Sequence, residues 1–134
     1  MENFVYNDGG RSKYFKASDV GDCVVRAFAI ASGRDYKEVY DLAKSVCKKG
    51  ESPRNGLKKA QCNKLGAMLG GKWVTCMTIG SGCKVHLNAD ELPKGRIVCS
   101  CSKHLVAMID GVVNDTYDST REGNRCVYGY WVFN

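Results

Sequence analysis

The sequence lacks the features that would place a protein in or across a membrane. None of its apolar runs approaches the roughly 20 residues that a membrane-spanning helix needs. Its first residues, MENFVYNDGG, are acidic and polar, with no basic stretch leading into an apolar one, so we expect no secretory signal peptide. These absences predict a cytoplasmic protein without a membrane partner.

Internal repeats and low-complexity tracts are also absent, which excludes solenoid and fibrous architectures. The 134 residues suffice for one domain with its own core, and we expect a single domain over 1–134. Apolar residues make up 44% and charged residues 25%, which is the balance of an ordinary soluble globular protein.

Histidine is scarce, because only His86 and His104 are present, and this limits the choice of a catalytic base. Cysteine is plentiful, with eight residues. Without an export signal we expect these to be mostly reduced thiols rather than disulfides. Cys47 and Cys62 fall at apolar positions of helical patterns, where free cysteine packs as a small hydrophobic side chain.

The net charge of +6 is concentrated in one segment. Residues 44–72 contain eight lysines and arginines and only one acidic residue, Glu51, which gives the segment a charge of +7. The pattern is typical of solvated surface helices, and it also suits an acidic partner. The segment has no interleaved aromatic residues for stacking on bases, which disfavours nucleic acid as a partner.

Periodicity predicts helices in the first half of the chain and strands in the second. Residues 1–20 read as irregular. The predicted helices span 22–32, 35–47 and 57–69, and the predicted strands span 72–79, 96–101, 104–109, 112–117 and 125–133. Helices followed by hairpin-connected strands indicate an α+β fold, with an antiparallel sheet packed on the buried first helix.

The first helix, in DCVVRAFAIAS, begins with a thiol at Cys23. A helix N-terminus presents unpaired N–H groups and the positive end of the helix dipole, and both favour a thiolate. Because the thiolate is the nucleophilic form of cysteine, Cys23 is a candidate nucleophile. Arg26, the single charge inside this helix, follows Asp22 by four residues, and the spacing predicts an ion pair between them.

His104 and Asp115 are the candidate base and orienting acid. Asp110-Gly111 is a strong signal for a two-residue hairpin turn. With that turn, Asp115 shares a sheet face with His104, two places along, where a carboxylate can hold the imidazole in one orientation. Asp118 falls on the other face and is the alternative acid if a bulge shifts the register by one residue.

These residues resemble the papain-like cysteine peptidase fold, with Cys23, His104 and Asp115 in the usual order. The segments DCVVRAFAIASG and HLVAMIDGVVNDTYD are most similar to small phage and bacterial proteins related to bacteriocin-processing peptidases. GDCVVRA is also similar to the nucleophile motif of the ovarian-tumour class of deubiquitinases. The resemblance covers about residues 7–40 and 102–119, and residues 50–100 match no pattern of these families.

The resemblance also implies a glutamine or asparagine shortly before the cysteine, whose side chain helps to form the oxyanion hole. Here residues 18–21 are Ser-Asp-Val-Gly, without an amide. The residues available for an oxyanion-binding or supporting role are therefore Asp19, Asp22 and Asn7. Asn7 would need the N-terminal arm to fold over the site.

A second cluster has metal-ligand chemistry. CKVH places Cys83 and His86 at C-x-x-H spacing, and CSC supplies Cys99 and Cys101. C-x-C puts both thiols on one strand face and no second knuckle accompanies them, so we expect scattered reduced cysteines, with no metal and no cofactor.

Two classes of function remain open from the sequence. In the first, a Cys23–His104–Asp115 triad cleaves an amide, isopeptide or thioester bond of a protein or peptide. In the second, the papain-like fold is retained without efficient catalysis, and the chain is a phage protein that binds a host partner in the host cytosol.

Overall fold

A computed structural model describes residues 4–15, 21–78 and 80–133. Within these ranges the architecture is α+β, with helices packed on a six-stranded sheet. The α-helices are α1 (Cys23–Ser32), α2 (Tyr36–Val46) and α3 (Lys59–Met68). The strands are β1 (Phe4–Tyr6), β2 (Lys72–Thr75), β3 (Arg96–Cys101), β4 (His104–Ile109), β5 (Val112–Asp115) and β6 (Gly129–Phe133).

Helix α1 is the central element, as its apolar residues predict. All its residues from Val24 to Ala29 are buried, together with Ala31, and the helix packs mainly on β4. It ends at Gly33, whose left-handed φ of 75° lets its N–H donate to the carbonyl of Ala29. The burial of α1 on nearly every side fixes the position of its first residue, Cys23.

Helix α2 packs against α1, and α3 packs against α2. Asp35 caps α2 through its side chain, which accepts a hydrogen bond from the N–H of Lys37. The side chains of Val39 and Ala43 face the core. Helix α3 begins at Lys59, two residues later than the pattern predicts.

The sheet has the strand order β1-β5-β4-β3-β6-β2. The prediction of a purely antiparallel sheet is wrong at one edge, because β1 pairs with β5 in parallel, Phe4 opposite Val113. The prediction that 1–20 is irregular is wrong for the same three residues. A strand of three residues is too short to show a periodic pattern in the sequence. It forms because its backbone groups can pair with those of the neighbouring strand.

The hairpin between β4 and β5 has the predicted register, since Ile109 pairs with Val112. Asp110 and Gly111 both have positive φ, 49° and 84°, as a two-residue turn of this hand requires. Three strands are shorter than the sequence predicts: β2 ends at Thr75, β5 ends at Asp115, and β6 begins only at Gly129. The described residues that were predicted as strand but lie outside these bounds are bends or irregular backbone, with an isolated bridge at Cys126.

Each face of the sheet has its own core. The helices cover one face, where Phe28 packs against Trp131 and Phe133 with ring centroids 5.2 and 5.9 Å apart. The other face is covered by Leu87 and Leu92 from the segment before β3. In the described ranges, no helix combines the length and the apolar character required to cross a bilayer.

Cys83 and Cys126 form a disulfide, with their Cα atoms 5.8 Å apart. The expectation of reduced thiols is wrong for this pair. An isolated β-bridge between His86 and Cys126 brings the two chain segments together, and the local sequence patterns give no sign of this. Six other cysteines are free.

Candidate active site

Cys23 is the first residue of α1, and its environment favours the thiolate. Burial alone would raise the pKa of its thiol, but the net effect lowers the pKa. The side-chain hydrogen bond with His104 and the backbone hydrogen bond from Leu105 outweigh the burial, and the positive charges of His104 and Arg26 add to them. The thiol of Cys23 therefore ionises at a lower pH than an ordinary cysteine thiol does.

His104 is buried between Cys23 and Asp115. Its Nε2 lies 2.7 Å from Oδ2 of Asp115. Burial lowers the pKa of the imidazole, but the bonds to Asp115 and Cys23 and the charges of both groups raise it from 6.5 to about 9. Because Nε2 is taken by Asp115, Nδ1 is the ring nitrogen left to exchange a proton with the Cys23 sulfur.

The Asp115 carboxylate is held by hydrogen bonds at both oxygens. Oδ1 accepts from the backbone N–H of Thr116 at 2.8 Å, and Oδ2 accepts from the hydroxyl of Ser119 at 2.9 Å as well as facing His104. Burial would raise the pKa of Asp115, but the bond and charge of His104 and these donors lower it. The carboxylate therefore stays ionised and fixed in orientation.

Asp118, the alternative acid, lies elsewhere. Its Oδ1 accepts from the backbone N–H and the hydroxyl of Thr120, at 3.0 and 2.7 Å. The side chain is exposed, in the turn that follows β5. The structure therefore brings Asp115, and not Asp118, to His104, as the unshifted hairpin register predicts.

Asp22 is fully buried and forms ion pairs with two arginines. Its Oδ1 accepts from Arg26 at 2.5 Å, which is the ion pair predicted from the spacing, and from Arg11 at 3.1 Å. Its Oδ2 accepts from the hydroxyl of Tyr36 at 2.6 Å. Asp22 thus ties α1 to the N-terminal arm and α2, and its supporting role is to hold Arg26. No local sequence pattern indicates Arg11 or Tyr36 as its partners.

Asn7 does not serve the site directly. Its amide nitrogen donates to Oδ1 of Asn114 at 3.1 Å, and its own Oδ1 accepts from the N–H of Gly9 at 2.9 Å. Its backbone N–H donates to the carbonyl of Asp115. These contacts give no support for Asn7 at the oxyanion, because its amide is engaged at the β1–β5 edge. Asp19 lies outside the described residues.

A cleft of about 500 Å³ opens beside Cys23 and His104. Its wall includes three aromatic residues from β2 and β6 and the loop before β6, namely Trp73, Tyr128 and Trp131. Four polar residues also line it, namely Asn55, Asn63, Lys59 and Lys103. Sequence reasoning missed most of these residues because they belong largely to the segment 50–100, in which no motif was found, and tertiary packing brings them to the cleft.

The cysteines considered for a metal site are dispersed. Cys83 is bonded to Cys126, and Nδ1 of His86 lies 3.1 Å from Oε1 of Glu91. Cys99 and Cys101 are buried in β3, where burial raises the pKa of both thiols. Across 4–15, 21–78 and 80–133, no group of three or more potential metal ligands is found.

No protein family, curated protein or solved structure matches the chain. The function is therefore inferred from the geometry of the site.

Proposed function

We propose that the protein is a thiol hydrolase of the papain-like cysteine peptidase type, which cleaves an amide, isopeptide or thioester bond. The observation that carries the proposal is the position of His104, which lines the same cleft as Cys23 and whose Nε2 lies 2.7 Å from Oδ2 of Asp115. The imidazole then lies between the nucleophile Cys23 and the orienting acid Asp115, which is the spatial arrangement that this chemistry needs.

In the proposed reaction the Cys23 sulfur attacks the substrate carbonyl carbon as a thiolate. A carbon–sulfur bond forms, and the bond to the leaving group breaks as His104 donates its proton to the departing nitrogen or sulfur. Water then attacks the thioester intermediate and passes a proton to His104. The free acid leaves and Cys23 is restored, while Asp115 keeps the imidazole in place.

The negative oxygen that forms during attack needs hydrogen-bond donors. The backbone N–H of Cys23, in the first turn of α1, is one such donor, and the positive end of the helix dipole adds to it. The second donor would be the side-chain amide of Asn55 or Asn63, two residues that line the cleft. In this protein the oxyanion amide would therefore follow the nucleophile in the chain.

Alkylation by iodoacetamide tests the proposal without a known substrate. At about pH 6, where an ordinary thiol is almost fully protonated, Cys23 should react much faster than any other free cysteine. His104→Ala should remove this advantage, because the imidazolium and its hydrogen bond are lost. Cys47 is the internal control, since burial and Glu51 raise the pKa of its thiol. Equal rates at Cys23 and Cys47 would refute the triad.

The alternative is a binding module that keeps this fold without efficient catalysis. The observation that favours it is the engagement of Asn7 at the sheet edge, which leaves no amide before Cys23 for the oxyanion among the described residues. In that case the basic segment 44–72 would bind an acidic host protein. The Cys23→Ala variant would then keep the full effect on the host. If the protein is a hydrolase, the same substitution abolishes that effect.

A further inference from the structure

The wall of the cleft is formed by tryptophans that two glycines accommodate. Trp73 on β2 lies directly opposite Trp131 on β6, with ring centroids 4.5 Å apart. A side chain at Gly129 would collide with the ring of Trp73, and a Cβ at Gly66 would lie 2.7 Å from Nε1 of Trp131. Both glycines let the indole rings approach the backbone, so the aromatic wall is built into the packing.

The aromatic wall is partly open to solvent. Trp73 is 38% exposed and Tyr128 is 40% exposed, whereas Trp131 is buried against Phe28. Aromatic surface that remains exposed beside a nucleophile is suited to packing against a large apolar side chain of a ligand.

The charged side chains that line the cleft carry one sign. Lys59 is the first residue of α3, and Lys103 occupies the turn between β3 and β4, directly before His104. The part of the chain that the structure describes places no aspartate or glutamate in the cleft lining. The positive end of the α3 dipole lies beside Lys59 and adds to the field. A cleft lined by one sign of charge concentrates ligands of the opposite sign.

From these observations we infer that the cleft takes an acidic peptide segment with a large apolar side chain at its centre. The apolar side chain packs on Trp73 and Tyr128, and the flanking carboxylates face Lys59 and Lys103. This inference rests on the proposed function only for the position of the cleaved bond, because the preference for acidic peptides is a property of the cleft wall itself.

Peptide binding to a Cys23→Ala variant tests the inference separately from the chemistry. The protein contains two tryptophans, and both line the cleft, so intrinsic fluorescence reports occupancy. The probes are two peptides with the same central Leu-Gly, flanked by glutamates in one and by lysines in the other. The glutamate peptide should bind about tenfold more tightly at low salt, with the difference shrinking as salt screens the charges.

Charge reversal provides the matched comparison. Lys59→Glu with Lys103→Glu, in the Cys23→Ala background, should invert the preference between the two peptides. Lys64→Glu with Lys94→Glu changes the net charge equally at exposed residues outside the cleft lining, and should leave the preference within about twofold. A circular-dichroism melting curve of each variant checks that it is folded.

Three results would overturn the inference: equal binding of the two peptides, an equal effect of the two double substitutions, or no fluorescence response to either peptide. The proposed function fails by a different measurement, namely slow alkylation of Cys23 in the native protein. A reactive Cys23 with no preference for the glutamate peptide would retain the hydrolase and remove only the acidic substrate class.

Discussion

Arg26 reaches Asp115 from the first helix: its Nη2 lies 3.6 Å from Oδ1 of the carboxylate whose other oxygen contacts His104. The same guanidinium binds Asp22 through Nη1. One buried cation thus compensates two buried carboxylates, and one of these orients the imidazole. Arg26 is a positioning residue in this arrangement, because it acts on His104 through Asp115.

We predict that Arg26→Gln destabilises the protein by about 3–5 kcal/mol, because it leaves Asp22 and Asp115 buried with less compensation. It should also shift the acid limb of Cys23 alkylation to higher pH, since the charge of Arg26 helps to lower the pKa of that thiol. Urea unfolding and the alkylation profile measure the two effects. Arg26→Lys, which keeps the charge, should restore most of the pH profile. If the pH profile of Cys23 alkylation is unchanged in Arg26→Gln, the role of Arg26 is structural and not one of positioning.

Asp115→Asn should slow Cys23-dependent hydrolysis by between about 10²- and 10⁴-fold, since the imidazole loses the acceptor that fixes its tautomer. The measurement is turnover of a peptide or thioester substrate once one is found, and alkylation at about pH 6 until then. Asp118→Asn is the matched control, because its carboxylate contacts Thr120 and not His104. A larger effect at Asp118 than at Asp115 would contradict the assignment.

The pH dependence of stability should reveal the raised pKa of His104. A group whose pKa rises on folding contributes stability that is complete below its unfolded pKa and is lost as pH rises through its folded pKa. For His104 these values are 6.5 and about 9. The difference in unfolding free energy between the native protein and His104→Gln should therefore shrink between about pH 6.5 and 9. Urea titrations at several pH values measure it, and a difference that grows over this range would show the opposite shift.

Gly66→Ala should cost about 1–3 kcal/mol, because the new methyl group meets the Trp131 ring and forces repacking. Trp131→Phe removes the part of the indole that the methyl group meets. In a double-mutant cycle, the cost of Gly66→Ala should therefore be smaller in the Trp131→Phe background. Additive costs, measured by urea unfolding, would show that the glycine does not accommodate the tryptophan.

Opening the Cys83–Cys126 disulfide should lower the free energy of unfolding by about 2–4 kcal/mol, because the bond closes a long loop with a sequence separation of 43. Cys126→Ser should produce this loss in non-reducing buffer, and a reductant should then have no further effect on the variant. Cys47→Ser, at a free cysteine, is the comparison for simple loss of a sulfur. Equal stability of native protein and Cys126→Ser would show that the disulfide does not form in solution.

The parts of the site that local patterns specify could be predicted from the sequence. Helix α1 is apolar on nearly every side, and this pattern predicts that the helix is buried. The position of Cys23 at the edge of the core follows, because Cys23 is the first residue of the helix. The Asp110-Gly111 turn sets the register of the hairpin and therefore which residues share a sheet face. This register places Asp115, and not Asp118, on the same face as His104. These features depend on residues that are close together in the chain.

The parts that depend on distant residues could not be predicted. Arg11 reaches Asp22 only because the N-terminal arm folds along the sheet, and Cys83 meets Cys126 only through an isolated bridge. The cleft wall joins Trp73 and Trp131 from strands that are far apart in the chain. Single-sequence periodicity contains no information on such pairings.

The place of β6 between β3 and β2 has a consequence for the time at which the proposed site is assembled during synthesis. Among the strands that the structure describes, β2 pairs only with β6, which is synthesised last, so Trp73 lacks the opposing Trp131 until then. His104 and Asp115 also follow Cys23 by more than half of the chain. A nascent chain that already carries Cys23 therefore has neither His104 nor the cleft beside it, and the proposed site is complete only when translation of this domain has almost ended.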